Sequence, residues 1–206
     1  NLVIKNKKEP VTCIIGGSKI TTKINVITSL LEKINNLIIV GAMANNFLVY
    51  KNFKVGKSLV ENNTKEIIDK IYNKALENNC EIIIPEDCMV GTSFESEGKN
   101  KELDKIQDNE IILDIGSNTI NNIKKKIEQS NTVLWNGPAG YFENENFANG
   151  TRSIAKTISK NTSERSLISI LGGGHTLSAI YRNKDELSFS HLSTAGGAFL
   201  EYLEGK

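Results

Sequence analysis

Short apolar runs alternate with stretches of helical periodicity along most of this chain, and this alternation limits the possible folds more than any other feature. The apolar runs that read as strands cover residues 11–15, 37–40, 81–84, 111–115, 132–134, 167–171 and 189–192. Helical patterns lie between them, at 20–34, 43–50, 64–78, 119–129, 146–159 and 176–181, with a last one ending near 203. Such alternation is typical of a Rossmann-like three-layer α/β sandwich, with a mostly parallel sheet of about six strands and helices on both faces.

The domain organisation follows from the same pattern. Residues 1–10 are polar and end in Pro10, which predicts a connector entering the domain. Residues 88–109 are irregular, with room for a hairpin. No linker interrupts 11–206, which we therefore expect to form one domain.

Composition excludes several classes of protein. Lys and Arg total 25 against 24 for Asp and Glu, so the net charge of +1 gives no case for binding nucleic acid or a membrane surface. No apolar run approaches the roughly 18 residues of a membrane-spanning helix, and no signal peptide is visible. Cys13, Cys80 and Cys88 lack CxxC spacing, so we expect reduced packing residues in a cytoplasmic protein.

Glycine follows several of the predicted strands. The glycine turns are Gly16–Gly17, Gly41, 172–174 and 196–197. The carboxyl ends of parallel strands lie along one edge of a sheet, so these turns converge there, each followed by a helix whose first N–H groups are free. Such an edge suits a polyanion, and we expect a nucleotide phosphate chain. The chain has neither a GxxxxGK[ST] P-loop nor a GxGxxG after its first strand, which disfavours a dinucleotide-binding dehydrogenase domain.

Two lysines stand beside the first glycine turn. Lys19 and Lys23 are one helical turn apart, on one face at the start of the first predicted helix. Two ammonium groups there can neutralise transferring phosphates. The alternative is a pair of solvated surface lysines.

The stretch 133–143 runs from a buried strand into a Gly-Pro turn and contains Trp135, the one tryptophan of the chain. Asn136 and Glu143 follow at a strand end where α/β proteins place ligand-binding groups. Glu143 is either an acceptor for a ribose or one more surface acid, and a tight turn without ligand remains the alternative for Asn136. His175 stands at a helix start in the same predicted site.

These motifs together resemble phosphoglycerate kinase, in that family's order and over nearly all of 11–206. They are GGSKITTK at 16–23, MANNF at 43–47, VGKS at 55–58, LDIG at 113–116, WNGPAGYFE at 135–143, FANGT at 147–151, GGG at 172–174 and STAGGA at 193–198. The resemblance extends to the C-terminal, nucleotide-binding half of the family.

The resemblance implies a glycolytic, cytoplasmic, monomeric enzyme that moves a phosphoryl group between 1,3-bisphosphoglycerate and ADP, giving 3-phosphoglycerate and MgATP. An N-terminal lobe, absent here, holds the glycerate, so the isolated chain is expected to be inactive. By the same resemblance Lys19 stabilises the phosphoryl in flight together with Gly196 and Gly197, and Ser193 and Thr194 bind phosphate. The nucleotide-binding positions it implies are Gly17, Ser18, Lys23, Gly41, Asn136, Pro138, Glu143, Gly173, Gly174, His175 and Thr176, with Met43 near the adenine.

Four positions depart from the family's pattern. His175 replaces an Asp that helps to hold the nucleotide's Mg²⁺, and neutral imidazole is a poor ligand for that ion. Thr22 stands where many members have Asp, while Ala42 and Ala195 replace glycines. These departures leave no certain metal ligand and open an alternative, a degenerate domain that binds nucleotide or a protein partner without catalysis.

Overall fold

The computed structural model describes residues 7–182 and 186–194. Within them, nine strands form two sheets. The strands are β1 (Val11–Ile15), β2 (Asn36–Ile39), β3 (Glu81–Ile83), β4 (Asp87–Gly91), β5 (Lys99–Glu102), β6 (Ile111–Ile115), β7 (Thr132–Asn136), β8 (Ile168–Gly172) and β9 (His191–Ser193). The α-helices are α1 (Ile24–Leu31), α2 (Ala44–Tyr50), α3 (Lys65–Glu77), α4 (Ser117–Gln129), α5 (Asn149–Arg165) and α6 (Gly174–Tyr181).

The main sheet has six strands in the order β3-β2-β1-β7-β8-β9, and every pairing in it is parallel. Helices cover both faces of the sheet. Neighbouring side chains of a strand point to opposite faces, so each strand can pack against helices on both. Cys13 and Ile15 of β1 pack with α1, α2 and α3, whereas Ile14 packs with α4 and α5. The predicted three-layer α/β architecture is therefore confirmed.

One strand was assigned to the wrong sheet by the sequence pattern. β6 pairs antiparallel with β4, which also pairs antiparallel with β5, so these three strands form a separate small sheet. The connection from β5 to β6 holds only a 3₁₀ turn, Leu103–Lys105, and is too short for the helical crossover that a parallel strand needs. The hairpin expected within 88–109 is β4 with β5, and β9 takes the sixth place in the main sheet.

Three further differences concern the limits and environment of single elements. α1 begins at Ile24 rather than near Ile20, because residues 20–23 form a turn. α5 extends to Arg165 and ends where Ser166 adopts the left-handed conformation, with φ +56° and its amide donating to Asn161 O. β3, expected to be buried, is the edge strand, with Glu81 exposed. The predicted helix ending near 203 lies outside the described residues.

The order of the main sheet contains one reversal. From β1 the chain proceeds to β2 and β3 on one side, and later from β7 to β8 and β9 on the other. In open α/β sheets, ligands bind at the carboxyl ends of the strands next to such a switch point. The expected ligand site therefore lies at the ends of β1 and β7, at Ile15 and Asn136, which are register partners.

Candidate nucleotide-binding cleft

A cleft of about 720 Å³ opens at the carboxyl edge of the sheet, between the ends of β1 and β7 and the small antiparallel sheet. Its lining includes most of the residues predicted from the sequence: Gly17, Ser18, Lys23, Gly41, Asn136, Pro138, Glu143, Gly173, Gly174, His175 and Thr176. The volume falls within the range of small-molecule and cofactor sites.

The loops after β1 and β7 touch each other through glycines. The Gly16 amide donates to Asn136 O at 2.8 Å. A Cβ on Gly16 would lie 2.2 Å from the carbonyl oxygen of Pro138, and one on Gly137, whose φ is +94°, would lie 2.4 Å from the Gly16 carbonyl carbon. Because backbone atoms block both positions, only glycine permits this close contact. Glycine here builds the wall of the cleft.

The loop after β2 joins the same wall. The Gly41 amide donates to Ala139 O at 3.1 Å, and the Met43 amide donates to Gly17 O at 2.8 Å. The side chain of Met43, expected near the adenine, is instead fully buried in the core beneath α2. Ala42, Ala44 and Asn45 line the cleft in its place.

The spacing predicted that Lys19 and Lys23 project from one face of a helix, and this prediction is wrong for Lys23. It stands just before α1, and its ammonium folds back to donate to Gly16 O at 2.7 Å and to Asn136 Oδ1 at 3.0 Å. Burial lowers the pKa of Lys23 to about 8, because an ammonium loses hydration there and no carboxylate compensates it. The cleft therefore contains a partly desolvated cation at its sheet end.

Asn136 links this cation to the neighbouring strand. Its Nδ2 donates to Gly172 O at 2.9 Å, so the amide group is used on both sides. Next to it, Thr176 Oγ1 donates to Gly172 O at 2.9 Å and accepts from the Gly137 amide at 2.7 Å. These side chains fix the ends of β7 and β8 to the first turn of α6.

The first turn of α6 supplies backbone donors to the same end of the cleft. Gly173 has φ +101° and precedes the helix, and Gly174 and His175 are exposed. The first amides of a helix have no carbonyl partner within it and carry the positive end of its dipole. A Cβ on Gly174 would meet no atom within 4 Å, which shows how open this turn is.

Lys19 is exposed and does not line the cleft, whereas its neighbour Ser18 does. Ser193 lies in β9, where its carbonyl accepts from the Gly173 amide at 3.1 Å, and Thr194 is exposed. Gly196 and Gly197, predicted to act with Lys19, lie outside the described residues.

The far end of the cleft is apolar, and sequence reasoning did not find it. Leu48, Leu59 and Ile112 line it, and the rings of Phe94 and Tyr141 meet edge to face with 4.9 Å between their centroids. These residues come from α2, from the loops 56–61 and 92–98, and from β6 and the loop after β7, so no local pattern unites them.

Two polar groups at the cleft also escaped sequence reasoning. Asp114 is buried and accepts from the amides of Gly150, at 2.7 Å, and Ile115, at 2.9 Å. Burial raises the pKa of its carboxyl to about 7 against the smaller opposing effect of these two bonds. Asn45 Oδ1 is the one buried side-chain polar atom without a hydrogen-bond partner in the part of the chain that the structure describes. LDIG at 113–116 contained Asp114 and MANNF at 43–47 contained Asn45, but neither motif showed what these side chains do.

The donor set does not fit a protein-held magnesium ion. Over residues 7–182 and 186–194, no three His, Cys, Asp or Glu side chains are grouped as metal ligands would be. His175 is exposed at the start of α6, where the family's pattern has a carboxylate.

Two further findings bear on the predictions from composition. Cys13, Cys80 and Cys88 are buried, and burial raises the pKa of each thiol, as expected of packing residues. No helix in the described ranges is long and apolar enough to cross a membrane.

Comparison with known proteins places these features in a family. The sequence model of phosphoglycerate kinase matches residues 1–206. The phosphoglycerate kinase of a Wolbachia strain from Drosophila simulans is 43% identical over 201 residues, which cover 97% of this chain and 50% of that protein. The enzyme of Coxiella burnetii is 40% identical over 205 residues, 98% of this chain and 51% of the relative.

Solved structures agree with this assignment. The phosphoglycerate kinase structure from Coxiella burnetii superposes with a TM-score of 0.89 at 40% identity, covering 98% of this chain and 51% of that one. The enzyme from Pyrococcus horikoshii OT3 gives 0.80 at 27% identity, with coverages of 99% and 51%. The chain spans about half the length of the relatives that it matches. A parallel sheet with glycine turns meeting at its switch point, together with matches along the whole sequence, shows that this chain belongs to the phosphoglycerate kinase family.

Proposed function

We propose that this chain is the nucleotide-binding half of a glycolytic phosphoglycerate kinase. The complete enzyme would move a phosphoryl group between 1,3-bisphosphoglycerate and ADP, forming 3-phosphoglycerate and ATP. The observation that carries the proposal is the two-ended cleft. One end offers the Lys23 ammonium and the first amides of α6, and the other is apolar and lined by residues that include Phe94 and Tyr141. A nucleotide has the same two ends, an anionic phosphate chain and a flat base.

The polar end would bind the phosphates without rearranging the sheet. Lys23 and Asn136 are already held by bonds to the ends of β1 and β8, so little conformational entropy remains to be lost on binding. The amides of Gly174 and His175 lie at the positive end of α6, where an anion is favoured. Glu143 also lines the cleft, and its carboxylate oxygens can accept from the hydroxyls of a ribose.

Phosphoryl transfer requires positioning and charge stabilisation rather than a protein nucleophile. In this proposal Lys19, exposed beside Ser18 at the cleft, stabilises the group in transfer. Gly196 and Gly197 would add amide donors, and Ser193 and Thr194 would bind phosphate. 3-Phosphoglycerate would bind to a further lobe, and the isolated chain would bind nucleotide with almost no turnover. We propose a cytoplasmic monomer.

The alternative is a nucleotide- or partner-binding domain that has lost catalysis. His175 favours it, because an exposed imidazole stands where the family's pattern has a carboxylate, and neutral imidazole is a poor ligand for Mg²⁺. Ala42 also favours it, because a methyl group stands in the cleft wall where the family has glycine.

An activity assay of the complete protein encoded by the parent gene separates the two possibilities. We expect ATP formation from 1,3-bisphosphoglycerate and ADP, and the reverse reaction from 3-phosphoglycerate and ATP. A complete protein that binds ADP but transfers no phosphoryl group in either direction would establish the alternative.

A further inference from the structure

The turn between Lys19 and α1 is held by a side chain from a distant part of the sequence. The Lys23 amide donates to Ile20 O at 2.9 Å, which closes a turn ahead of α1. Glu61 accepts from the turn's first groups. Its Oε2 accepts from the Ile20 amide at 2.5 Å and the Thr21 amide at 3.4 Å, and its Oε1 accepts from Thr21 Oγ1 at 2.5 Å. One carboxylate therefore fixes the two residues that directly follow Lys19.

Glu61 is itself held in place by α2. Its own amide donates to Asn46 Oδ1 at 2.8 Å, and Asn46 is buried, with its Nδ2 donating to Met43 O at 3.2 Å. Asn45 Nδ2 donates to Leu59 O at 3.0 Å and holds the same loop two residues earlier. The carboxylate thus extends from an anchored backbone, so its position is set before any ligand binds.

The negative charge of the carboxylate strengthens all three bonds. Two amides and one hydroxyl donate to Glu61, and an ionised carboxyl group only accepts. A glutamine of the same size keeps one acceptor oxygen for the two amides, and its NH₂ group can donate to the Thr21 hydroxyl, so Glu61→Gln removes the charge and leaves three weaker, neutral bonds. Glu61 does not line the cleft, whereas Lys57 and Leu59 of the same loop do. Any effect of Glu61 on the ligand must therefore pass through the turn that it holds.

We infer that Glu61 is a positioning residue for Lys19, setting where the Lys19 ammonium lies relative to the terminal phosphate of ATP. The inference rests on the proposed function. A purely structural role for Glu61 would affect only the stability of the chain. A positioning role would also affect how strongly the chain discriminates between ATP and ADP. Only ATP carries the group that Lys19 is proposed to hold.

The test is a double-mutant cycle on the chain itself, with ADP and ATP titrated by calorimetry in excess MgCl₂. The variants are Lys19→Met, Glu61→Gln and the double variant, and Glu66→Gln, an exposed acid in the first turn of α3, is the charge-matched control. We expect Lys19→Met to weaken ATP binding about tenfold, the scale of one charged hydrogen bond, and to leave ADP binding unchanged. Glu61→Gln should weaken ATP several-fold, and the double variant should be no weaker than Lys19→Met. Glu66→Gln should match the wild type.

Equal losses of ADP and ATP affinity in Glu61→Gln, or losses that add fully in the double variant, would overturn the inference while leaving the nucleotide site intact. Absence of ADP binding by the folded wild-type chain would overturn the nucleotide site, and the inference with it. If Glu61→Gln does not fold, Thr21→Val replaces it in the cycle, since it removes only the hydroxyl bond to Glu61. A selective, non-additive loss of ATP affinity is again expected, about twofold in size, and unchanged ATP affinity in Thr21→Val would count against the inference.

Discussion

The desolvated ammonium of Lys23 makes the strongest prediction, a specific pH dependence of ADP binding. Burial lowers its pKa to about 8 in the free chain. A phosphate chain beside it favours the charged form, so the pKa rises when ADP binds. By linkage, ADP affinity is highest while Lys23 is protonated and falls as pH rises through about 8. The internal bonds to Gly16 O and Asn136 Oδ1 survive deprotonation, because a neutral amine keeps two N–H donors.

The magnitude follows from the fraction of Lys23 that is protonated. With a pKa of about 8, that fraction falls roughly eightfold between about pH 7.5 and pH 9, so the dissociation constant for ADP should rise by about that factor, or about 1.2 kcal/mol. The phosphate of ADP titrates near pH 6 and the Asp114 carboxyl near pH 7, both below this window. Burial keeps the Cys13 thiol protonated throughout it.

The assay is ADP titration followed by fluorescence of Trp135, which is buried in β7 and donates to Gly137 O at the cleft wall. Calorimetry at two pH values checks the constants. In Lys23→Met, binding should be weaker and independent of pH over this range. A flat profile in the wild type, or the same slope in Lys23→Met, would refute the assignment of the pH dependence to Lys23.

Four other outcomes follow from the structure. The free energy of unfolding of the wild type, measured with urea, should rise relative to Lys23→Met as pH increases from about 8 to 10.5, because the unfolded state binds more protons there. Gly16→Ala should cost at least about 3 kcal/mol, since its Cβ would meet Pro138 O, whereas Gly174→Ala should stay within about 1 kcal/mol; equal costs would contradict the close approach of the two loops at Gly16. The wild type should lose stability relative to Asp114→Asn as pH rises from about 4 to 7, since the raised pKa makes the ionised carboxyl the unfavourable form, and an opposite trend would count against this. Calorimetry should show that magnesium enhances ADP binding less in the wild type than in His175→Asp, and equal enhancement would rule out a metal-binding role for this position.

Much of the fold was predictable because strands of the main sheet have a recognisable local sequence pattern. β1, β7 and β8 are buried apolar runs followed by Gly or by Asn-Gly, and such signals need no tertiary information. β6 has the same local signal, but the prediction that it belongs to the main sheet was wrong. The sheet that a strand joins depends on the length of the preceding connection and on which partner strand is available. The antiparallel partner, β4, belongs to the stretch that looked irregular.

Part of the lining of the cleft was predictable in the same way. Gly41, Asn136 and Gly173 line the cleft as expected, because their positions follow from strand ends. The spacing of Lys19 and Lys23 gave a wrong prediction, because the helix on which both were expected to lie begins only after Lys23. Helical periodicity could not show that Glu61 accepts the Ile20 amide from 41 residues away and holds the segment as a turn. The apolar end of the cleft is formed by tertiary packing alone.

Our main proposal is that this chain binds an adenine nucleotide in the cleft at the switch point of the sheet. Titration of ADP into the isolated chain by calorimetry, at about pH 7.5 with Lys23→Met in parallel, tests it most directly. We expect saturable 1:1 binding that is strongly weakened in the variant. No detectable heat with the folded wild-type chain at millimolar ADP, or equal affinity in Lys23→Met, would contradict it.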